Sequence, residues 1–371
     1  MLADLDLLWQ QLRCLWLGAP VVVELQDHAL GLAQFQTGPQ GPRLRHCCIT
    51  PLPTGAVVAG VPRQPQAIGE LLRDLLLDEA IPALGAIGVL PGPAHQLRLL
   101  ELDSPDGGNP PWPSGADLLA WPGLTGDIPS ELAIADLLPL AGPPLSARGR
   151  EGSCALAAVT RRGSVDAWAA TFDAAELELL QLDVSTTALL RLLADGPSDV
   201  AGQALVVLLD LQPDHSELLL LQQGLPCYRR LLGPLPGPLE QTIARELELQ
   251  GDGLEQDEPD ADAAEAADGL WESLGLVDSE ALVRDLIRCV TFFQHQQGQG
   301  TAAPAPVARI LLSGPGACFP QLSAQISQQC GWPTALLDPL ASVAVLPEAG
   351  RLPLPAVGLT HLLGMALGVE S

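Results

Sequence analysis

The sequence predicts an α/β fold written twice. Residues 21–36, VVVELQDHALGLAQFQ, and residues 204–220, ALVVLLDLQPDHSELLL, share one grammar: an apolar run reaches an acid, then Leu-Gln, then Asp-His, then a second apolar run. Each reads as strand, turn, strand. Behind each hairpin the strand and helix periodicities follow in the order strand, strand, strand, helix, strand, helix. With 371 residues and 47% hydrophobic content, the chain can give two such units a core each.

At the N-terminus, Leu5, Leu8, Trp9, Leu12, Leu15 and Trp16 line one face of an amphipathic helix over residues 1–19. That face packs on its own domain or, alternatively, meets a partner or membrane; Arg13 against Asp4 and Asp6 weakens the membrane alternative. The same acids stand where a signal peptide carries positive charge, and no apolar run reaches the roughly 18–20 residues of a membrane span, so a cytoplasmic location is expected. Strands follow at 21–27, 30–36 and 44–52, with the first turn at Gln26-Asp27-His28. Ile68, Leu71, Leu72, Leu75 and Leu76 give Gln64–Glu79 helical spacing, and PALGAIGVL at 82–90 returns to a buried strand. Residues 103–130 are broken by Pro and Gly and fit a loop or a small inserted unit.

Residues 154–193 alternate strand, helix, strand, helix, with Ser185 or Thr186 as N-cap. The hairpin grammar restarts at 204 with ALVVLLDL, SELLLLQQG and LPCYRRLLG, and a helix is expected around 238–250. Residues 251–268 carry eight acids and no base, which reads as a solvated loop, with a functional acidic tail as the alternative. A helix at 279–296, a strand at 308–312, a Gly turn and a helix at 320–330 close the second unit.

Composition excludes several chemistries. The net charge of −26 leaves no basic stripe, so nucleic acid is not expected as a direct partner. All 18 basic residues are Arg, which removes P-loop, Schiff-base and general-base lysines together. The eight cysteines form no C-x-x-C pair or zinc spacing and read as reduced core thiols; adjacent Cys47 and Cys48 point to opposite faces of a strand.

The doubled strand-helix order resembles the duplicated ribonuclease-H-like plan of the actin and sugar-kinase superfamily. Within it, ARILLSGPGACFPQLSAQISQQCGWPTALLDPL (308–340) resembles the strand, Gly-rich adenosine turn, helix and Asp-Pro of the type IV pilus assembly PilM family. GAIGVLPGPAHQLRLLELD (85–103) is similar to that family's small-subdomain strand pair, DIPSELAIADLLPL (127–140) to its Ile-Pro stretch, and LELLQLDVSTTALLRLL (177–193) to its Leu-Leu-Arg helix. The resemblance implies an α/β, actin-like ATPase fold: two ribonuclease-H-like domains with a small inserted subdomain. It divides the chain, after the 1–19 helix, into a first core (20–80 and 151–200), an insert (81–150), a second core (201–238 and 307–371) and a helical and acidic-loop part (239–306). It also implies a cytoplasmic scaffold at the inner membrane, recruited by the N-terminal cytoplasmic tail of a PilN-like protein. The tail's groove would be lined by 85–103 and 154–168, with Arg98, Arg161 and Arg162 near its rim.

The family's nucleotide loops are altered here. Asp-x-Gly-Ser-Ser is replaced by Glu24, Leu25, Gln26, Asp27 and His28, and Gly31 stands at the lysine position. Asp-Ile-Gly becomes Asp210, Leu211 and Gln212, followed by Pro213 and Asp214; the paired Gly reads Gly233-Pro234, and the adenosine turn reads Leu312-Ser313-Gly314-Pro315-Gly316. Glycine lets a phosphate loop approach and donate N–H groups, whereas glutamine adds a Cβ. The positions implied for the pocket are therefore degenerate: Glu24, Gln26, Asp27, Asp210, Gln212, Asp214, Gly314 and Gly316. No catalytic residue, metal or cofactor is expected, and the chain reads as a binding scaffold of pilus or DNA-uptake machinery. The alternatives are an active ATPase that holds ATP and magnesium with unusual loops, and a metal or acid/base site built from Asp27, His28, Asp214 and His215.

Overall fold

The computed structural model of the protein describes residues 19–38, 41–103, 112–140, 152–194, 204–234, 243, 279–297, 305–319 and 321–368. The expected N-terminal helix and the acidic stretch 251–268 lie outside the described residues, as does the expected 238–250 helix apart from Ile243.

The first half begins with β1 (Val21–Leu25), β2 (Ala29–Gly38) and β3 (Gly41–Pro51), an antiparallel meander. A short ribbon, β4 (Val57–Val58) with β5 (Val61–Pro62), leads to α1 (Pro65–Asp78). Proline suits the first turn of α1, where its missing N–H is no loss, and Ile68, Leu72 and Leu76 turn inward. β6 (Gly85–Leu90) then lies parallel to β1. β1 is buried along its whole length, which is why VVVEL shows no alternation: a strand with helices on both faces has no solvent side.

The chain now leaves the core sheet. β7 (His95–Asp103), α2 (Gly115–Leu119), β8 (Ala133–Leu140) and β9 (Gly152–Arg161) form a separate unit whose three strands run in the order β7-β9-β8, all antiparallel. Leu100, Ala157 and Val159 on one face of it pack against Leu118, Leu124 and Ile128. α3 (Arg162–Ala174) returns to the core and lays Trp168 and Phe172 on the sheet. Gly88 of β6 makes that possible, since a Cβ there would sit 2.9 Å from the Trp168 ring. β10 (Glu178–Val184) joins β6 in parallel, and α4 (Ser185–Ala194) completes the half.

The second half repeats the plan. β11 (Leu205–Leu211), β12 (Ser216–Gln222) and β13 (Leu225–Leu232) form the meander. After α5 (Glu280–Gln297), β14 (Val307–Ser313) pairs parallel to β11, α6 (Leu322–Cys330) follows, and β15 (Thr334–Leu336) pairs parallel to β14. The orders β3-β2-β1-β6-β10 and β13-β12-β11-β14-β15 coincide strand for strand, with the same polarity at each step. The duplication read from the two hairpins is therefore a duplication of the whole sheet.

Two assignments from the sequence change. The segment 85–103 is not a strand pair of the insert: β6 belongs to the core sheet and only β7 to the small one. β6 is buried along nearly its whole length, a pattern that fits only a central parallel strand. Conversely β9, expected in the first core, is the middle strand of the small sheet.

The C-terminal passage crosses back to the first half. β16 (Ala344–Val345) adds to β3 in parallel, and the Leu346 N–H donates to the Leu44 carbonyl at 2.9 Å. α7 (Thr360–Met365) packs on α4, where Gly364 allows the close approach; a Cβ at that position would run into the Ala188 carbonyl. Among the described residues no helix is long and apolar enough to cross a membrane.

Candidate functional site

β1 and β11 are equivalent strands, and each carries a buried acid near its C-terminal end: Glu24, 6% exposed, and Asp210, 2% exposed. A lone buried carboxylate costs several kcal/mol, so each needs a partner. Both find it in His361 of α7, itself 3% exposed. Its Nδ1 lies 2.7 Å from Glu24 Oε1, and its Nε2 lies 3.1 Å from Asp210 Oδ2. Burial alone would lower the pKa of this imidazole, but Asp210 and Glu24 outweigh it and hold the ring charged well above the ordinary histidine range. Burial likewise works against ionising Asp210, yet the imidazolium, the Ser313 hydroxyl and the Gln212 amide keep its carboxyl below the usual range.

The turns after β1 and β11 close in the same way: Gln26 N donates to Ala29 O and Gln212 N to His215 O, each at 2.9 Å. The two glutamine side chains then meet across the cleft, with Gln26 Nε2 donating to Gln212 Oε1 at 3.0 Å. The Gln212 amide also donates to both Asp210 oxygens, at 3.1 and 3.0 Å, and Ser313 Oγ donates to Oδ1 at 2.7 Å. Gly314, at φ +82°, lies so near this cluster that a Cβ would come within 2.7 Å of the Gln212 amide; its N–H donates to the Val357 carbonyl. Leu362 fills the space over Gly31, where a Cβ would stand 3.0 Å from Leu362 Cδ1. The void left among Glu24, Gln26, Gly31, Pro315 and Leu362 is about 20 Å³, room for one water.

The expected pocket residues therefore divide. Glu24, Gln26, Asp210, Gln212 and Gly314 converge, and Gly316 is buried in the turn beside them. Asp27 and Asp214 have other partners: Asp27 Oδ1 accepts from the Gly60 N–H at 3.2 Å, and Asp214 Oδ1 lies 2.8 Å from His215 Nδ1. Burial opposes the charge on Asp214, but the His215 hydrogen bond outweighs it, with His28 adding to the field, and the carboxyl stays below its usual range. Among the described residues no three His, Cys, Asp or Glu form a group able to hold a metal ion. In the Glu24-His361-Asp210 set Nδ1 is hydrogen-bonded to Glu24 and Nε2 faces Asp210 at 3.1 Å.

A second buried network, one that no motif or periodicity points to, ties the halves together. Arg229 of β13 grips Glu217 of β12 through Nε and Nη2, both at 2.8 Å, while Nη2 donates to the Gly92 carbonyl at 2.8 Å and Nη1 to the His95 carbonyl at 3.3 Å. Thr186 of α4 donates to Glu217 Oε1 at 2.7 Å. Gly92 lies where β6 turns out into the small sheet, so Arg229 braces that exit. Burial would neutralise Glu217, but Arg229 overcomes it and keeps the carboxyl ionised below its usual range. His95 is the opposite case: burial, helped by Arg229, drives its pKa down to about 3.

The arginines expected at a docking rim are all exposed. Arg98 lies opposite Ala157 and Arg161 opposite Ala133, which puts both on one face of the small sheet; Arg162 begins α3. As the middle strand, β9 has no free edge, so any added strand must pair with β7 or β8.

Two matching five-strand sheets facing across a cleft, one half with a small inserted sheet, define the actin-like ATPase fold. The particular likeness is to a chain of the PilM-PilN type IV pilus biogenesis complex: 20% identity, 95% of this chain and 98% of that one covered, TM-score 0.66. The ethanolamine utilization protein EutJ from Carboxydothermus hydrogenoformans matches at 11% identity over 94% and 89% of the two chains, TM-score 0.44. A Bacteroides thetaiotaomicron protein with an actin-like ATPase fold matches at 6% over 93% and 95%, TM-score 0.45. The last two are too distant to bear on the assignment, and the first carries the fold. No protein-family profile and no curated protein matches the chain.

Proposed function

We propose that this chain is a non-catalytic scaffold of type IV pilus or related machinery, docking the N-terminal tail of a PilN-like inner-membrane protein and lying against that membrane through its partner. The likeness in fold to a chain of the PilM-PilN complex supports the partner class. The observation that carries the non-catalytic part is the filled cleft. The Gln212 amide sits on Asp210, where an open turn would expose N–H groups to a phosphate, and His361 already stands between both acids. A drug-sized ligand needs roughly 300–1,000 Å³, and the void here is about 20 Å³. The residues present do not fit a magnesium nucleotide.

For the tail, strand addition at the edge of the small sheet is the mode that fits, since backbone pairing supplies affinity and side pockets supply choice. Arg98 and Arg161 on one face favour an acidic or carbonyl-rich partner. Two titration calorimetry runs test the reading, one with ATP and magnesium and one with the tail peptide of the PilN-like protein of the same cell. Heat from the peptide and none from ATP is expected; micromolar ATP binding would overturn the non-catalytic part. A photo-crosslinker at Arg98 should capture the tail, and capture confined to residues after 200 would overturn the docking site.

A further inference from the structure

We propose that His361 is a latch between the two halves that is closed by one proton: the charged ring ties Glu24 of β1 to Asp210 of β11, and loss of the charge lets the halves part along the cleft. The inference does not depend on the pilus reading.

The geometry requires the charge. A carboxylate oxygen accepts and cannot donate, and a neutral imidazole has one N–H. Here Nδ1 spends that N–H on Glu24 Oε1 at 2.7 Å, while Nε2 lies 3.1 Å from Asp210 Oδ2 without an aligned hydrogen bond, so the second acid is held by the positive charge of the ring. Removing that proton leaves two buried anions on opposed strands with no cation between them. The Gln26–Gln212 bridge is neutral and cannot replace it.

Among the described residues, Glu24 and Asp210 are the charges that act on the ring. β1 presents Glu24 and β11 presents Asp210; β2 presents only uncharged residues, and β14 presents Ser313. From α4, Arg191 reaches Met365 Sδ at 3.5 Å, but it is paired with Asp183 at 2.7 Å. The raised pKa of His361, set against its burial by Asp210 and Glu24, agrees with this reading. The second bridge, Arg229 with Glu217, does not release in the same range because arginine keeps its charge. Opening would therefore pivot about the Arg229 end.

The test is a pH series from mildly acid to alkaline on the full chain, with two readouts. Long-range ¹H–¹⁵N imidazole NMR follows the ring, assigned by its absence in His361→Gln, and small-angle scattering follows the radius of gyration. His361 should titrate above the 6.5 of a free imidazole, and the wild-type radius should grow through that transition while His361→Gln shows no such step. Titration at or below 6.5, or the same step in both proteins, would overturn the latch. Should His361→Gln fail to fold, Glu24→Gln decides. With one acid removed, the His361 titration and the opening step must move together to lower pH; an unmoved titration refutes the proposal.

Discussion

Gln26 and Gln212, equivalent residues of the two halves, hydrogen-bond to each other at 3.0 Å across the cleft that separates their turns. A position that must open toward an anion in a phosphate loop is here used to close the molecule on itself. Opening this site to a nucleotide would mean undoing a bond as well as removing a side chain. Gln26→Gly with Gln212→Gly should not suffice, and neither should Asp27→Ser with Asp214→Ser, since those acids are turned to Gly60 and His215. Gly31→Lys also needs Leu362→Ala, because Leu362 occupies the space beside Gly31. Calorimetry with magnesium ATP should give measurable binding only when the glycine changes, the lysine and the Leu362 truncation are combined.

Arg229→Ala should be among the most damaging single changes. It leaves Glu217, with a side chain 3% exposed, buried without its cation, and it strips a donor from the Gly92 and His95 carbonyls. The expected loss is about 3–5 kcal/mol, the usual cost of breaking one partner of a buried pair. Arg229→Met with Glu217→Gln should recover part of it in urea denaturation.

His95 sets an acid limb of stability. Its pKa falls to about 3 in the folded protein from 6.5, so between those values the unfolded chain binds a proton that the native state does not. Stability should drop by about 1.4 kcal/mol per pH unit from this group as the medium is acidified. His361 acts with the opposite sign: its folded value is raised, so its contribution is full below 6.5 and is lost as pH rises through the folded value. Urea midpoints measured down the acid limb should flatten in His95→Gln and keep their slope in Glu24→Gln.

Gly364→Val should push α7 off α4, since a Cβ there meets the Ala188 carbonyl. Overpacking of this kind costs about 1–3 kcal/mol. The informative readout is local: with α7 displaced, His361 leaves its carboxylates, and its imidazole NMR titration should fall back toward 6.5.

Deleting 251–268 should leave the melting temperature within a few degrees. The stretch has eight acids and almost nothing to bury, and each doubling of loop length costs only about 0.6 kcal/mol in closure entropy. A collapse in soluble yield would show that it packs.

The doubled sheet was legible because local pattern and fold agree. Each meander starts at an apolar run with an acid near its end, and the turn residues recur. The boundary of the insert was not legible, because nothing local distinguishes β9 as a small-sheet strand from a core strand. The site was half legible. Glu24, Asp210 and the two glutamines stood out by their place in the hairpins, but their partner did not. One signal was present: in LTHLLGMALG (359–368) a single histidine interrupts an apolar helix, and a buried imidazole there must have polar company. Its distance along the chain hid the company it keeps. Arg229 was equally hidden, because LPCYRRLLG does not say which of two adjacent arginines turns inward.

The return of the C-terminal passage to the first half has a consequence for synthesis. β3 has β16 on its outer edge, and Glu24 meets an imidazole 337 positions later in the chain. A ribosome that has made the entire first half has still not made the strand that covers that edge or the cation that settles that acid. The nascent N-terminal half therefore waits, with an open β edge and an uncompensated carboxylate, until β16 and His361 have emerged. An uncovered strand edge of this kind is a template for edge-to-edge pairing for as long as it stays open.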